Sequence, residues 1–168
     1  SQGIELEVNL AATERLTVGA AVGYLDAEYE EYDGANCYPG EASDSPTIPG
    51  QCDKSGEDSP FAPELSGSIF ADFYLPVSDK INLAGGITMA FSSEYFTNGV
   101  LDPTAEQDSY ERFDARIGLV SADDKWSVRL IGKNLNDEAV LGVTQDIVGH
   151  VGFINAPRTV TLQGTYNF

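Results

Sequence analysis

Apolar residues recur at every second position along much of this chain. Seven stretches alternate apolar and polar residues, which is the pattern of β-strands that have one apolar and one polar face. The first stretch, for example, alternates Ile4, Leu6 and Val8 with Glu5 and Glu7. The stretches fall at about residues 4–10, 16–24, 65–75, 81–92, 112–119, 126–130 and 159–168. No convincing amphipathic helix is present, so the predicted fold class is all-β with antiparallel strands.

The connections between the predicted strands alternate between short and long. The short polar turns are residues 11–15, 76–80 and 121–125, and the long links are about residues 33–60, 98–108 and 138–157. Short turns therefore gather at one end of the predicted sheet and long loops at the other end. Outer-membrane β-barrels sort their loops in this way, whereas a soluble β-sandwich has no reason to do so.

Aromatic residues near the strand ends favour the same fold. They fall on the apolar faces, where two aromatic girdles at the membrane–water interfaces are expected in a transmembrane barrel. The predicted girdle residues are Tyr24, Phe73, Phe91, Phe113, Trp126, Tyr166 and Phe168. The opposite faces carry Glu, Asn, Ser, Thr and Arg, a composition suited to a wet lumen. We therefore predict about seven antiparallel transmembrane β-barrel strands.

The net charge of the chain limits the kinds of molecule that it can bind. The chain has 9 Lys and Arg against 27 Asp and Glu, which gives a formal net charge of −18 and an isoelectric point near 4.1. Direct nucleic-acid binding through phosphate neutralisation is close to excluded at this charge, as is polybasic binding to anionic headgroups. No run of about 18 apolar residues is present from which a transmembrane helix could form.

The end of the chain resembles the C-terminal signature of bacterial outer-membrane proteins. Tyr166, Leu162 and Val160 alternate upstream of a terminal Phe168. In those proteins the barrel-assembly machinery recognises the last strand, so the resemblance implies an assembly signal at Phe168.

Further segments resemble TonB-dependent outer-membrane receptors in order and spacing. They are SQGIELE at 1–7, FAPELSG at 61–67, DDKWSV at 123–128, GKNLNDE at 132–138 and APRT at 156–159. Receptors of this family are 22-stranded barrels with a plugged lumen. The resemblance implies that residues 1–168 are the C-terminal segment of such a barrel, with the plug domain outside this sequence.

The resemblance also implies a function and a set of partners. The whole protein is expected to import a scarce nutrient, such as a siderophore, across the bacterial outer membrane with energy from TonB acting through the plug. The expected partners are outer-membrane lipid, lipopolysaccharide, the barrel-assembly machinery, TonB and the small ligand, with no nucleic acid and no cofactor. No catalytic constellation can be argued, so an enzyme is not expected.

Two other fold and function classes stay open at this point. The chain could be a complete small outer-membrane barrel with a structural or adhesive role, which would require an eighth strand within residues 141–154. It could also be a secreted acidic β-sandwich that acts as a binding module.

The two cysteines lie in the longest predicted loop. Cys37 and Cys52 are surrounded by Pro and Gly, and an extracellular loop is in an oxidising environment, so a disulfide is expected. A metal pair is the alternative, although other soft ligands are lacking.

The residues between 26 and 58 include ten carboxylates with Lys54 as the only balancing charge. This segment is either a solvated loop, a site that binds divalent cations, or a surface that steers cations towards a pore.

Charged residues on two consecutive predicted strands face the predicted lumen. They are Arg112, Asp114, Arg116, Arg129 and Lys133. Their alternating signs predict cross-strand ion pairs that stiffen the wall or dock a plug. Contact with an anionic substrate, such as a ferric siderophore, is the functional alternative. No residue is predicted to be catalytic or to bind a metal.

Overall fold

The computed structural model describes residues 1–146 and 150–168 of the chain. The structure consists almost entirely of β-strands and loops, with one short 3₁₀ helix at Pro103–Ala105. The strands are β1 (Gln2–Thr13), β2 (Leu16–Asp26), β3 (Asp33–Ala35), β4 (Cys52–Asp53), β5 (Leu65–Ser78), β6 (Ile81–Ser92), β7 (Tyr95–Phe96), β8 (Glu106–Gln107), β9 (Tyr110–Ser121), β10 (Trp126–Lys133), β11 (Leu141–Asp146), β12 (His150–Ile154) and β13 (Thr159–Tyr166). Among these residues, no helix has the length and apolar character needed to cross a membrane.

Seven of the strands form one antiparallel sheet. Its order is β1-β2-β5-β6-β9-β10-β13, so each strand pairs with the next long strand along the chain. These seven strands are the ones predicted from the alternating stretches, and the all-β prediction is confirmed. Strands β1 and β13 form the two outer edges and do not pair with each other within the described residues, so the sheet is not closed into a barrel.

The register separates the side chains into an apolar face and a polar face. Directly opposed residues of antiparallel strands project to the same side of a sheet. Ile69 opposes Met89, and Met89 opposes Phe113, which places these three residues on the apolar face. Asp72, Gly86 and Arg116 are aligned in the same manner on the polar face.

The apolar face is uncovered. Ile4 and Leu162, on the two edge strands, are each 73% exposed, and Ile87 on a central strand is 50% exposed. Among the described residues, the buried apolar side chains lie mainly in the long loops, at Ala35, Cys52, Leu101, Ala105 and Val140, and the sheet itself contributes Val120. A soluble β-sandwich would instead bury an apolar face of this kind against a second sheet.

Loop length is sorted by the end of the sheet, as predicted. Tight turns connect β1 to β2, β5 to β6 and β9 to β10. At the other end are three long segments, which we term loop A (residues 27–64), loop B (residues 93–109) and loop C (residues 134–158). Each loop contains a short two-stranded ribbon: β3 with β4, β7 with β8, and β11 with β12. Within the segment considered as an eighth strand, the described residues 141–146 and 150–154 form the β11–β12 ribbon, which is separate from the main sheet.

Candidate functional site

The polar face of the sheet carries an ion pair that crosses a strand. Arg116 on β9 donates from Nη2 to both carboxylate oxygens of Asp72 on β5, each at 2.8 Å. Strand β6 lies between them, and the residue aligned with both is Gly86. A β-carbon at Gly86 would collide with the Asp72 carboxylate, so the absence of a side chain there leaves room for the pair.

The other predicted lumen residues share this face but pair differently. Arg112 Nε lies 3.9 Å from Asp114 Oδ1 on the same strand. Asp114 Oδ1 also accepts a hydrogen bond of 2.8 Å from the backbone N–H of Asn134 and so holds the beginning of loop C against β9. Arg129 and Lys133 on β10 make no ion pair within the described part of the chain. Of the predicted cross-strand ion pairs, Arg116 with Asp72 forms within the described residues, and it joins β9 to β5 rather than to β10. The orientation of these residues towards a lumen stays a prediction.

Loop A is held together by a disulfide. Cys37 and Cys52 are bonded, with their Cα atoms 5.2 Å apart, and Cys52 is fully buried. The predicted disulfide is present, and it excludes the alternative of a thiolate metal pair. Although the Sγ atoms lie close to a Glu41 carboxylate oxygen, both sulfurs are already used in the S–S bond.

Next to the disulfide, loop A buries a lysine. Lys54 is 4% exposed, and its Nζ lies 2.5 Å from Glu41 Oε1 and 5.1 Å from the centre of the Tyr38 ring. The other oxygen of Glu41 accepts a hydrogen bond from the Tyr38 backbone N–H. The buried cation thus has a carboxylate and an aromatic face as partners, which offsets its desolvation.

A second set of hydrogen bonds within loop A involves the carboxylate of Asp33. Hydrogen bonds from Ser45 and Thr47 hold the pKa of the Asp33 carboxyl below its ordinary value. Because both hydroxyls interact best with the ionised carboxylate, the conformation of this part of the loop depends on the charge of Asp33.

Loops B and C are connected by a hydrogen-bonded contact. Leu141 N–H donates to Gln107 Oε1 at 2.5 Å, and Thr144 N–H donates to the Thr97 carbonyl oxygen at 3.0 Å. The hydroxyls of Thr97 and Thr144 lie 2.9 Å apart, and Thr97 and Val140 are almost fully buried. The two loops therefore share a small core outside the main sheet.

A strongly acidic cavity lies beside the loop ends of β2, β5 and β6. Its volume is about 330 Å³, and its lining includes no Lys or Arg. The carboxylates that line it are Asp26, Glu28, Asp58, Glu64, Glu94 and Glu106. Its field favours cations over anions. This cavity is formed by loops A and B together and could not be located from the sequence.

All the predicted girdle residues within the sheet lie on its apolar face. Tyr24, Phe91 and Phe113 are nearer the long loops, whereas Trp126 and Tyr166 are nearer the short turns. Phe73 covers Gly85, where a β-carbon would lie 2.5 Å from the ring. Phe168 follows the last strand, and its ring makes an edge contact with Tyr166 at 5.2 Å between centroids. Their location at a membrane interface and the assembly role of Phe168 stay predictions.

Comparison with known families identifies the family to which this chain belongs. Residues 1–135 match the family described as "TonB dependent receptor-like, beta-barrel". The chain belongs to this family. The match includes the first six strands of the main sheet together with loops A and B, and it agrees with the resemblance seen in the sequence.

Two solved receptor structures share the fold of this TonB-dependent receptor segment. The ferric yersiniabactin uptake receptor FyuA from Yersinia pestis aligns over 99% of the chain with a TM-score of 0.75 and 14% identity. The siderophore receptor PiuA from Acinetobacter baumannii aligns over 96% of the chain with a TM-score of 0.68 and 20% identity. The chain spans 23% and 21% of the lengths of these two receptors. A search of curated protein sequences gives no significant match.

Proposed function

We propose that this chain forms part of the wall and three extracellular loops of a larger TonB-dependent receptor in the bacterial outer membrane. The observation that carries this proposal is the open sheet of seven strands, which has an uncovered apolar face and loops sorted by length. Family membership supports it, since the chain aligns with about a fifth of each structural neighbour. Further strands of the same barrel would pair with the free edges of β1 and β13.

In this arrangement the two faces of the sheet have different surroundings. The apolar face contacts lipid, and the polar face with Asp72 and Arg116 lines the lumen. Arg129 and Lys133 are then available to a plug domain or to an anionic ligand in the lumen. The plug, which would transmit the energy supplied by TonB, belongs to the rest of the receptor.

The proposed ligand is a scarce nutrient of the ferric-siderophore type, and the proposed activity is transport rather than catalysis. Support comes from the names of the two neighbours, one a ferric yersiniabactin uptake receptor and the other a siderophore receptor. Loops A and B would present the acidic cavity to the outside, where it would favour the approach of cationic groups.

Two measurements test the proposal in the source bacterium. The first is the intact mass of the protein that carries this sequence after detergent extraction from outer membranes, which we expect to be several times 18.0 kDa. The second is uptake of radiolabelled iron from a panel of ferric siderophores, with and without the gene and with TonB inactivated. We expect uptake of at least one chelate to need both. A mass near 18.0 kDa would instead indicate a complete small barrel, and uptake that needs neither gene would refute the transport role.

A further inference from the structure

One carboxylate on the polar face of the sheet contacts loop C at the residue where that loop begins. The ladder between β9 and β10 ends with the pairing of Ala115 and Gly132. Beyond this pair the Asp114 side chain replaces the strand backbone as acceptor, since its Oδ1 accepts the Asn134 N–H at 2.8 Å. Asp114 is two residues from Arg116 on the same strand, so it projects from the same polar face, and its side chain is 34% exposed.

Asn134 extends this attachment to both arms of loop C. The residue is only 3% exposed. Its Nδ2 donates to the Glu138 carbonyl oxygen at 2.8 Å and to the Ala156 carbonyl oxygen at 3.2 Å, and its Oδ1 accepts the Glu138 N–H at 2.8 Å. Its φ of 52° lies in the left-handed region, which Asn adopts more readily than most residues. One buried side chain therefore joins the outgoing arm of the loop to the returning arm.

Loop C in turn is bonded to loop B. The N–H groups of Thr144 and Leu141 donate to the Thr97 carbonyl oxygen and to Gln107 Oε1. Tyr95 Oη donates to the Leu141 carbonyl oxygen at 3.3 Å. Thr97 and Gln107 are buried, so these bonds are shielded from water. Loops B and C are therefore one hydrogen-bonded unit.

Two other bonds hold the same end of loop C, and both are made to the backbone of β9. Leu135 N–H donates to the Phe113 carbonyl oxygen at 2.7 Å, and Asn136 Oδ1 accepts the Phe113 N–H at 3.1 Å. The bond to Asp114 differs because its acceptor is a carboxylate, and charge-assisted hydrogen bonds are stronger than neutral ones. Loss of this carboxylate should therefore loosen the loop without disturbing the backbone of the strand.

We propose that Asp114 is a positioning residue for uptake, whose carboxylate holds loops B and C in place as one unit from the polar face of the barrel wall. The inference rests on the proposed function, which places that face in the lumen and these loops outside the cell. It adds to that function a residue inside the barrel that sets the position of two loops outside it.

Hydrogen exchange of the full-length receptor in detergent, followed by mass spectrometry, tests the positioning. We expect Asp114→Ala to make exchange several-fold faster in the peptides that contain Thr144 and Thr97, because the bond to Asn134 is lost. Asp114→Asn keeps an acceptor oxygen and should restore most of the protection. The matched control Asp72→Ala removes a carboxylate of the same face that pairs within the sheet, and it should leave both loops unchanged.

Asn134→Gly tests the same connection while Asp114 is kept, so the inference stays testable if Asp114→Ala does not fold. Glycine adopts a left-handed φ without strain and retains the N–H that Asp114 accepts, but it lacks the side-chain bonds to both arms of loop C. We expect Asn134→Gly to make exchange at Thr144 faster, as Asp114→Ala does.

Uptake kinetics test the consequence for transport. The probe is radiolabelled iron in each ferric siderophore of the panel that the wild-type receptor imports. We expect the KM of uptake to rise several-fold in Asp114→Ala, because loosely held loops bind the chelate less tightly, and to stay at the wild-type value in Asp72→Ala. Asp114→Asn should return the KM towards the wild-type value.

Four results would overturn the inference. Unchanged exchange of both loops in Asp114→Ala would show that this carboxylate does not hold them, and equal loosening by Asp72→Ala would indicate a general effect of charge removal. Unchanged exchange in Asn134→Gly would show that the two arms are not joined through this side chain. Looser loops with an unchanged KM would refute the role in uptake. The proposed function fails separately, on the intact mass and on uptake that does not need the gene.

Discussion

Arg116 binds Asp72 across the strand that separates them, and the position between the two side chains is a glycine. This relationship joins three strands of the sheet by one side-chain contact. Both partners are substantially exposed, so the pair itself contributes only about 0–1 kcal/mol.

The glycine between these partners should matter more than the charges. We expect Gly86→Val to destabilise the folded sheet by about 1–3 kcal/mol. The new side chain would displace the Asp72 carboxylate, and its β-carbon would also lie 3.0 Å from the backbone carbonyl oxygen of Ala71, which cannot swing aside as a side chain can. Asp72→Asn should cost less than about 1 kcal/mol. Thermal unfolding in detergent, followed by the mobility of the folded form on gels, measures both. Gly99→Val, in open space on loop B, is the control, and equal effects of the two glycine variants would contradict the steric argument.

The two faces of the sheet should respond oppositely to a new charge. Val128→Arg on the apolar face should cost about 2–4 kcal/mol at mid-bilayer and reduce the amount of assembled protein. Thr161→Arg on the polar face is the matched control and should assemble normally. The measurement is the fraction of full-length protein in isolated outer membranes. Normal assembly of Val128→Arg would show that the assignment of the lipid face is wrong.

Removal of the disulfide should loosen loop A without affecting the strands. Its two cysteines are separated by 15 positions, and closure of a loop of this length contributes about 3 kcal/mol in the chain-entropy model. We expect Cys37→Ser to make loop A sensitive to limited proteolysis under oxidising conditions. The wild-type protein treated with a reductant should give the same cleavage pattern. A Cys37→Ser protein as resistant as the oxidised wild type would refute the stabilising role.

Acid should weaken the same loop through Asp33. Its folded pKa is lowered, so its ionised form stabilises the loop at pH values above the ordinary carboxyl range. That stabilisation is lost as the pH falls from there through the lowered folded pKa. Cleavage by an acid-active protease should therefore increase as the pH falls below the ordinary carboxyl range. Asp33→Asn should show a smaller change over this range than Asp58→Asn, a control in the same loop, and an identical pH response of the two variants would argue against Asp33.

The contact between loops B and C can be measured by amide hydrogen exchange. Gln107→Ala removes the acceptor of the Leu141 N–H, whose net contribution is about 1 kcal/mol. We expect exchange at Leu141 to become several-fold faster. Glu106→Ala changes the neighbouring exposed residue and should leave Leu141 unaffected. Unchanged exchange in Gln107→Ala would mean that the loops are not coupled at this point.

The strands could be predicted because each one shows an alternation of apolar and polar residues in its own sequence. The alternation of Ile4, Leu6 and Val8 with Glu5 and Glu7 depends only on neighbours along the chain. The disulfide could be predicted because the chain has only two cysteines, and both fall in one loop.

The side-chain contacts of the site could not be predicted from the sequence pattern, because they depend on the register of the strands and on the conformation of the loop backbones. Arg116 had plausible partners on its own and the next strand, but the register aligns it with Asp72 on β5. The burial of Lys54 against Glu41 and the contact of Gln107 with Leu141 need a folded loop backbone to bring them together. No periodicity indicates such contacts.

The open edges of the sheet have a consequence for handling this segment. β1 extends over 12 residues and β13 over 8, and each lacks a neighbour on its outer side within the described residues. Unpaired backbone N–H and C=O groups along an edge are a template for another strand. Residues 1–168 produced alone would therefore expose two unpaired strand edges and an uncovered apolar face. We expect copies of this segment to pair through these edges and aggregate. In the proposed receptor, neighbouring strands would pair with both edges and so remove this tendency to aggregate.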